Sequence, residues 1–264
     1  MEPSARAEAP AVCECLANRD ALKRARFLVI VAHPDDEVIG AGARLPNLNS
    51  SEFVHVTTGS TARYSSEASR RFSELAAALN LAGLTSAQLH PVSRLDQSLS
   101  YAMASLTKQL GSIITEHQSD AVLTHPYEGG HPDHDAIAFA VHAACGAMTS
   151  PPPIIEMAFY HQGPNGMRTG EFLSNSRVPT LALRLSAAER TLKRSLFACF
   201  PSQAQMLKQF PVEIERFRVA PDYDFAQPPH TGQLFYENFN WGIRSGAEWR
   251  ALARKAQLEL ELKQ

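Results

Sequence analysis

RFLVIVAHPDDE, residues 26–37, joins a β-branched apolar run directly to a cluster of ionisable side chains. The unbroken apolar character of RFLVIVA (26–32) predicts a strand buried on both faces, as an inner strand of a parallel sheet is. A second run, EFVHVTT (52–58), ends at Gly59 and reads as another strand. Between 67 and 81, Phe72, Leu75, Ala76 and Leu79 recur at helical spacing, and Gly83 supplies the stop. The alternation continues with a short strand at 88–92, a helix through Leu106, Leu110, Ile113 and Ile114, a strand at 121–125 and a helix at 136–145. Parallel strands need crossover connections, so this order predicts an α/β fold: a mostly parallel sheet with helices on both faces.

Beyond the prolines at 151–153, IIEMAFYH (154–161) reads as a strand, HQGPNGMRTGEF (161–172) as a Gly-rich loop and LALRL (181–185) as a strand. A helix at 187–200 and a loop-rich tail containing PPH (228–230) lead to a last helix at 247–262. Trp249, Leu252, Leu258 and Leu262 lie there among charges, a pattern for packing on the domain instead of on a membrane. One domain over 1–264 is expected: an N-terminal extension (1–24), a core carrying the chemistry (25–160) and a C-terminal loop-and-helix part (161–264) that closes the pocket.

The 264 residues are 44 % hydrophobic and 20 % charged, with a net charge of −2, as in ordinary soluble proteins. Lys and Arg are scattered, so a nucleic-acid partner is not expected. There is no uninterrupted apolar stretch of secretory or transmembrane length, so membrane insertion is not expected and the cytoplasm is the default location. Cys13, Cys15, Cys145 and Cys199 are too few and too irregular for a disulfide framework and read as free thiols.

Two motifs carry chemistry. AHPDDE (32–37) follows the first strand, at the carboxyl edge where parallel sheets bind ligands. Pro34 suits the first turn of a helix, which would place His33 and Asp36 three residues apart on one face. GGHPDHD (129–135) stands in the same relation to the strand at 121–125. Two imidazoles and one carboxylate from these loops, His33, Asp36 and His134, suit Zn²⁺ and leave a fourth position open, as catalytic zinc requires. Such a site activates water against an amide. Asp35 is then left as general base, and His131 as a donor to the tetrahedral oxyanion. Glu37 reads as a residue that orients a ligand or caps the helix start.

AHPDDE followed by GGHPDH about a hundred residues later resembles the PIG-L/LmbE-like family of zinc-dependent N-acetylglucosaminyl deacetylases. The resemblance covers roughly the first 160 residues. It implies a Rossmann-like domain, zinc at His33, Asp36 and His134, a base at Asp35 and a transition-state-stabilising His131. It also implies small N-acyl sugar substrates with acetate as the usual acid released. RRFSELAAALNLAG resembles the family's Arg-x-x-Glu helix, implying a substrate contact from Arg71, and LDQSL implies one from Asp96. Where some members carry a Tyr two residues before the first His of the second motif, this chain has Gly129; Tyr127, two residues earlier still, is a candidate to contact substrate in its place. Gln203 and His230 could also line the pocket, although no spacing fixes either there and buried structural roles are the favoured reading of both.

The leading expectation is a deacetylase of an amino-sugar derivative; an amidase for a thiol conjugate or another small N-acyl metabolite would use the same chemistry. A nucleotide-binding module is disfavoured, because Gly40 and Gly42 fall after the His-Pro-Asp-Asp turn and read as helix-packing glycines. A homo-oligomer is compatible with the sequence.

Overall fold

The first apolar run becomes strand β1 (Phe27–Val31), with all five side chains buried. Phe27, Val29 and Val31 enter one core cluster while Leu28 and Ile30 enter another, the period-two alternation of a strand covered on both faces. This is a computed structural model, and it describes residues 5–62, 65–85, 88–175 and 177–262. Three strands align parallel with β1: β2 (Glu52–His55), β3 (Ala121–Thr124) and β4 (Ile154–Met157), in spatial order β2-β1-β3-β4. Two antiparallel strands, β8 (Ile214–Val219) and then β7 (Leu181–Arg184), complete a six-stranded sheet.

One face is covered by α3 (Asp36–Ala41), α4 (Ser66–Leu81) and α7 (Ala187–Ala198), through Val38, Leu75, Leu79 and Leu196. The other carries α5 (Met103–His117), α6 (Pro132–Gly146) and α9 (Gly246–Glu259), through Leu106, Leu110, Phe139 and Trp249. Each such fully buried side chain contributes about 1.5–3 kcal/mol by leaving water. Among the described residues, no helix is long and apolar enough to cross a membrane.

Several expectations change in detail. The N-terminal extension is helical, as α1 (Ala5–Cys15) and α2 (Arg19–Arg24), and Leu16 and Leu22 are fully buried in the first core cluster. Residues 88–92 are not a regular strand but touch the sheet edge through a single bridge, Leu89 to Phe53, with a second just beyond them, Arg94 to Thr57. The run 154–161 breaks after β4, and its second half pairs as β5 (Tyr160–Gly163) with β6 (Gly166–Thr169), so the Gly-rich loop is a β-hairpin. Strand β8 lies in the segment expected as a loop-rich tail; its charged Glu215, Arg216 and Arg218 mask the strand pattern. Phe72, expected in the core, is 52 % exposed, because α4 turns Arg71, Glu74, Leu75 and Ala78 inward instead. Gly40 does serve close packing: a Cβ there would meet Met157 Sδ at 2.5 Å.

Candidate active site

The chain leaves β1 toward β2 on one side, while β3 lies on the other, so the sheet order switches between β1 and β3. A crevice opens at the carboxyl ends of two such strands because their crossovers lead away in opposite directions. AHPDDE follows β1 and GGHPDHD follows β3, and the loops therefore meet there. His33, Asp35, Asp36, Arg71, Asp96, His131 and His134 line one cleft of about 840 Å³ that opens to solvent.

The first loop departs from the expected helix start. Pro34 precedes the helix, and α3 begins only at Asp36. Asp36 instead folds back, its Oδ2 accepting the His33 amide at 2.7 Å. Asp35 between them has φ of 127°, a region sparsely populated by residues with a side chain. Its surroundings hold it there: the Asp35 amide donates to Glu37 Oε2 at 3.1 Å, and Arg71 Nη2 donates to the Pro34 carbonyl at 2.5 Å while lying 3.3 Å from Asp35 Oδ1. Strain of this kind, of order 1–3 kcal/mol, persists where neighbours over-determine the geometry. Glu37 thus supports the turn from inside, and its Oε2 also pairs with buried His55 at 2.9 Å.

The second loop follows expectation. Pro132 occupies the first turn of α6, and His131 caps it by accepting the Asp133 amide at Nδ1, 3.1 Å. The neutral ring therefore carries its proton on Nε2. Burial, joined by His33 and His134, pushes the His131 pKa well down, so the ring is a neutral donor. Asp135 Oδ1 accepts the Glu128 and Gly129 amides and shapes the loop between β3 and the motif.

Four donor atoms of three residues face one another across the loops. His134 Nε2 lies 3.3 Å from His33 Nδ1 and 3.3 Å from Asp36 Oδ1, and His33 Nδ1 lies 3.4 Å from the other carboxylate oxygen, Asp36 Oδ2. A tetrahedral ion with ligand bonds of about 2.0–2.1 Å separates its ligands by about 3.3 Å, so each of these pairwise spacings suits neighbouring ligands of a divalent metal. The far nitrogen of His33, Nε2, lies 2.9 Å from Asp96 Oδ1 and donates to it, which turns Nδ1 toward the other two residues. Asp96, expected to contact substrate, thus has a first task in orienting His33. Asp96→Ala should weaken metal binding by about 10- to 100-fold in a chelator competition, with Asp96→Asn partly restoring it; equal affinity in the alanine variant would contradict this.

Burial raises the Asp35 pKa to about 7, against the pull of Arg71. Asp36 goes the other way: burial opposes ionisation, yet His134 and His125 hold its carboxyl well below the usual range.

Two groups escaped the sequence reading. His125, at the end of β3, is fully buried, stacks on His134 at 3.9 Å and accepts the Ala32 amide at Nε2, 2.9 Å. Asp133, within the second motif, accepts the Gln97 and Leu99 amides and so locks the Asp96 loop to the metal-facing helix. His125 ends the strand at 121–125 and Asp133 lies in GGHPDHD, so a His or Asp in or beside a motif is the signal the sequence carries. Tyr127 is a correction: it is buried away from the cleft lining, stacked on Trp249, and its hydroxyl donates to the Gln227 carbonyl at 2.9 Å. Arg71 and Gln203 do line the cleft, and His230 does not. Glu52, His90 and His117 form a separate, half-buried metal-capable group sharing no residue with the cleft.

Gly130 shows how tightly the second loop is seated, since a Cβ there would meet the Tyr160 carbonyl oxygen at 2.1 Å. Backbone cannot yield cheaply, so Gly130→Ala should cost about 1–3 kcal/mol in a denaturant titration and lower turnover by displacing His131. Unchanged stability and rate would show that the loop is looser than drawn.

Residues 28–145 match the PIG-L family, described as GlcNAc-PI de-N-acetylase. Among solved structures, a deacetylase from the teicoplanin biosynthesis pathway is 18 % identical with a TM-score of 0.56, covering 75 % of this chain and 100 % of that one. The zinc-inhibited form of a teicoplanin deacetylase gives 17 % and 0.55 over 75 % and 99 % of the two chains. A pseudoaglycone deacetylase gives 21 % and 0.52 over 76 % and 99 %. At these identities the likeness is one of fold. No curated protein matches the chain significantly.

Proposed function

We propose, on the premise that residues 28–145 make this chain a PIG-L-like N-deacetylase, that it hydrolyses the acetamide of an N-acetylglucosamine-like sugar derivative with zinc at His33, Asp36 and His134. The supporting observation is the convergence of His33, Asp36 and His134, whose side-chain N and O atoms approach pairwise to 3.3, 3.3 and 3.4 Å, with the Asp35 carboxylate lining the same cleft. Zinc held there supplies Lewis-acid polarisation of a carbonyl and a lowered pKa for water.

The chain's own groups divide the remaining work. Asp35 accepts the proton of the attacking water and returns it to the leaving nitrogen; a carboxyl whose pKa is near 7 is matched to both transfers. His131 donates Nε2–H to the oxygen on which negative charge grows. Arg71 is 3 % exposed and lines the cleft, and its Nε and Nη1 have no partner among the described residues, so it retains donors for a polar substituent of the substrate. Asp96 and Asp133 hold His33 and the loop around it in place.

The test is to measure metal content in the purified protein and follow primary-amine release from N-acetylated pyranosides, a thiol-conjugated N-acyl sugar and acyclic N-acetyl amines. About one zinc per chain and turnover of the pyranosides are expected. Absence of zinc binding, or turnover confined to acyclic amides, would overturn the reading.

A further inference from the structure

One wall of the cleft is aromatic and unused by the mechanism. Trp241 lines the cleft and stacks on Phe239, with ring centroids 4.3 Å apart and planes 10° from parallel. Phe239 is 42 % exposed, although large apolar side chains usually find cover. The Trp241 ring lies 4.8 Å from that of His131, so this surface begins where the oxyanion donor ends.

The pair is also held rigidly. Trp241 bridges Ile243 across Gly242, whose φ is 76° and where a Cβ would meet the Gln97 carbonyl oxygen at 2.4 Å. The Tyr101 hydroxyl donates to the Gly242 carbonyl at 2.6 Å. Gln97 is itself fixed by Asp133, so the turn carrying Trp241 and the loop carrying Asp96 share one anchor. A preorganised aromatic face beside a polar cleft is what recognises a ligand with one apolar face and a polar rim.

We infer that Trp241, backed by Phe239, is a stacking platform for the pyranose ring that bears the amide. The C–H face of the ring lies on the negative face of the indole, and its hydroxyls turn toward Arg71, Asp96 and Gln203 on the rest of the lining. The inference rests on the amino-sugar reading and deepens it, because it makes the ring, and not the acyl group alone, a recognised part of the substrate. Residues in the C-terminal third thereby set specificity for chemistry carried by the first.

The chain has two tryptophans, and Trp249 is fully buried with Nε1 donating to the Pro132 carbonyl, so Trp241 is the one whose emission can report a ligand in the cleft. Zinc-loaded Asp35→Asn protein is titrated with methyl N-acetylglucosaminide and, separately, with N-acetylethanolamine, which has no ring. Emission should change and saturate with the pyranoside only. In the zinc-loaded wild-type background, Trp241→Ala should raise KM for pyranosides by about 3- to 10-fold with a smaller effect on kcat, Trp241→Phe should restore most of it, and acyclic amides should show no such shift. If wild type turns over pyranosides while emission is silent and Trp241→Ala keeps the wild-type KM, the platform is wrong and the function stands. If the pyranoside changes emission but is never hydrolysed, the platform stands and the function falls; silence in both readouts overturns both.

Discussion

Asp35→Asn is expected to keep its zinc and its fold and to lose amine release by about 10²- to 10⁴-fold, the range by which a positioned general base accelerates proton transfer. The amide has the same shape, so the change removes proton-accepting capacity and little else. Asparagine also tolerates positive φ better than most residues, and the turn at φ 127° is fixed through main-chain groups, with the Asp35 amide on Glu37 and the Pro34 carbonyl on Arg71. The proposed ligands are the neighbouring side chains of His33, Asp36 and His134, so metal content should match wild type. Metal analysis and single-turnover rates on the same samples decide the matter. Zinc bound at the wild-type level together with a rate within threefold of wild type would remove Asp35 from the mechanism, and loss of zinc would make it a ligand.

How legible this site was differs from residue to residue. The proposed metal ligands were readable because motif position is encoded locally: RFLVIVA and AVLTH are short apolar runs, the first running into its motif and the second ending just before it. That β1 and β3 are neighbours is what brings the motifs together; the alternation of strands and helices was enough to expect both motifs at one sheet edge, but not which strands adjoin. Asp96 was found, but its contact with His33 was not, since that depends on a loop whose course is set by Asp133, 36 residues from Gln97 in sequence. Tyr127 was misplaced because a buried tyrosine with a main-chain acceptor looks, as a letter, like a pocket tyrosine. Strand β8 was missed for a related reason. Its charges are buried against partners that no local window contains.

Those buried charges carry the second large expectation: Arg218→Met should destabilise the protein by about 3–5 kcal/mol, the usual consequence of removing one partner from a buried ionic group. Arg218 is 3 % exposed. Its Nε donates to Glu156 on β4 at 2.7 Å, and its Nη2 donates to Glu128 at 3.0 Å and to the Tyr223 hydroxyl at 2.9 Å. Glu128 stands three residues before His131, so this guanidinium ties the second motif's loop to the sheet. Lysine, a single point charge, should rescue poorly because the fork is what spans the two carboxylates. The pH dependence has a definite sign. Burial already raises Glu156 from 4.5 to about 7 despite Arg218 and Tyr223. A carboxyl raised on folding loses stability as pH climbs from its unfolded value through its folded one, and without Arg218 that window extends upward. The variant's deficit in denaturant titrations should therefore be larger at about pH 8 than at about pH 6, where Glu156 can take up a proton. A deficit under about 1 kcal/mol, or one that grows as the pH falls, would mean that the carboxylates find other partners and that the motif loop does not depend on Arg218.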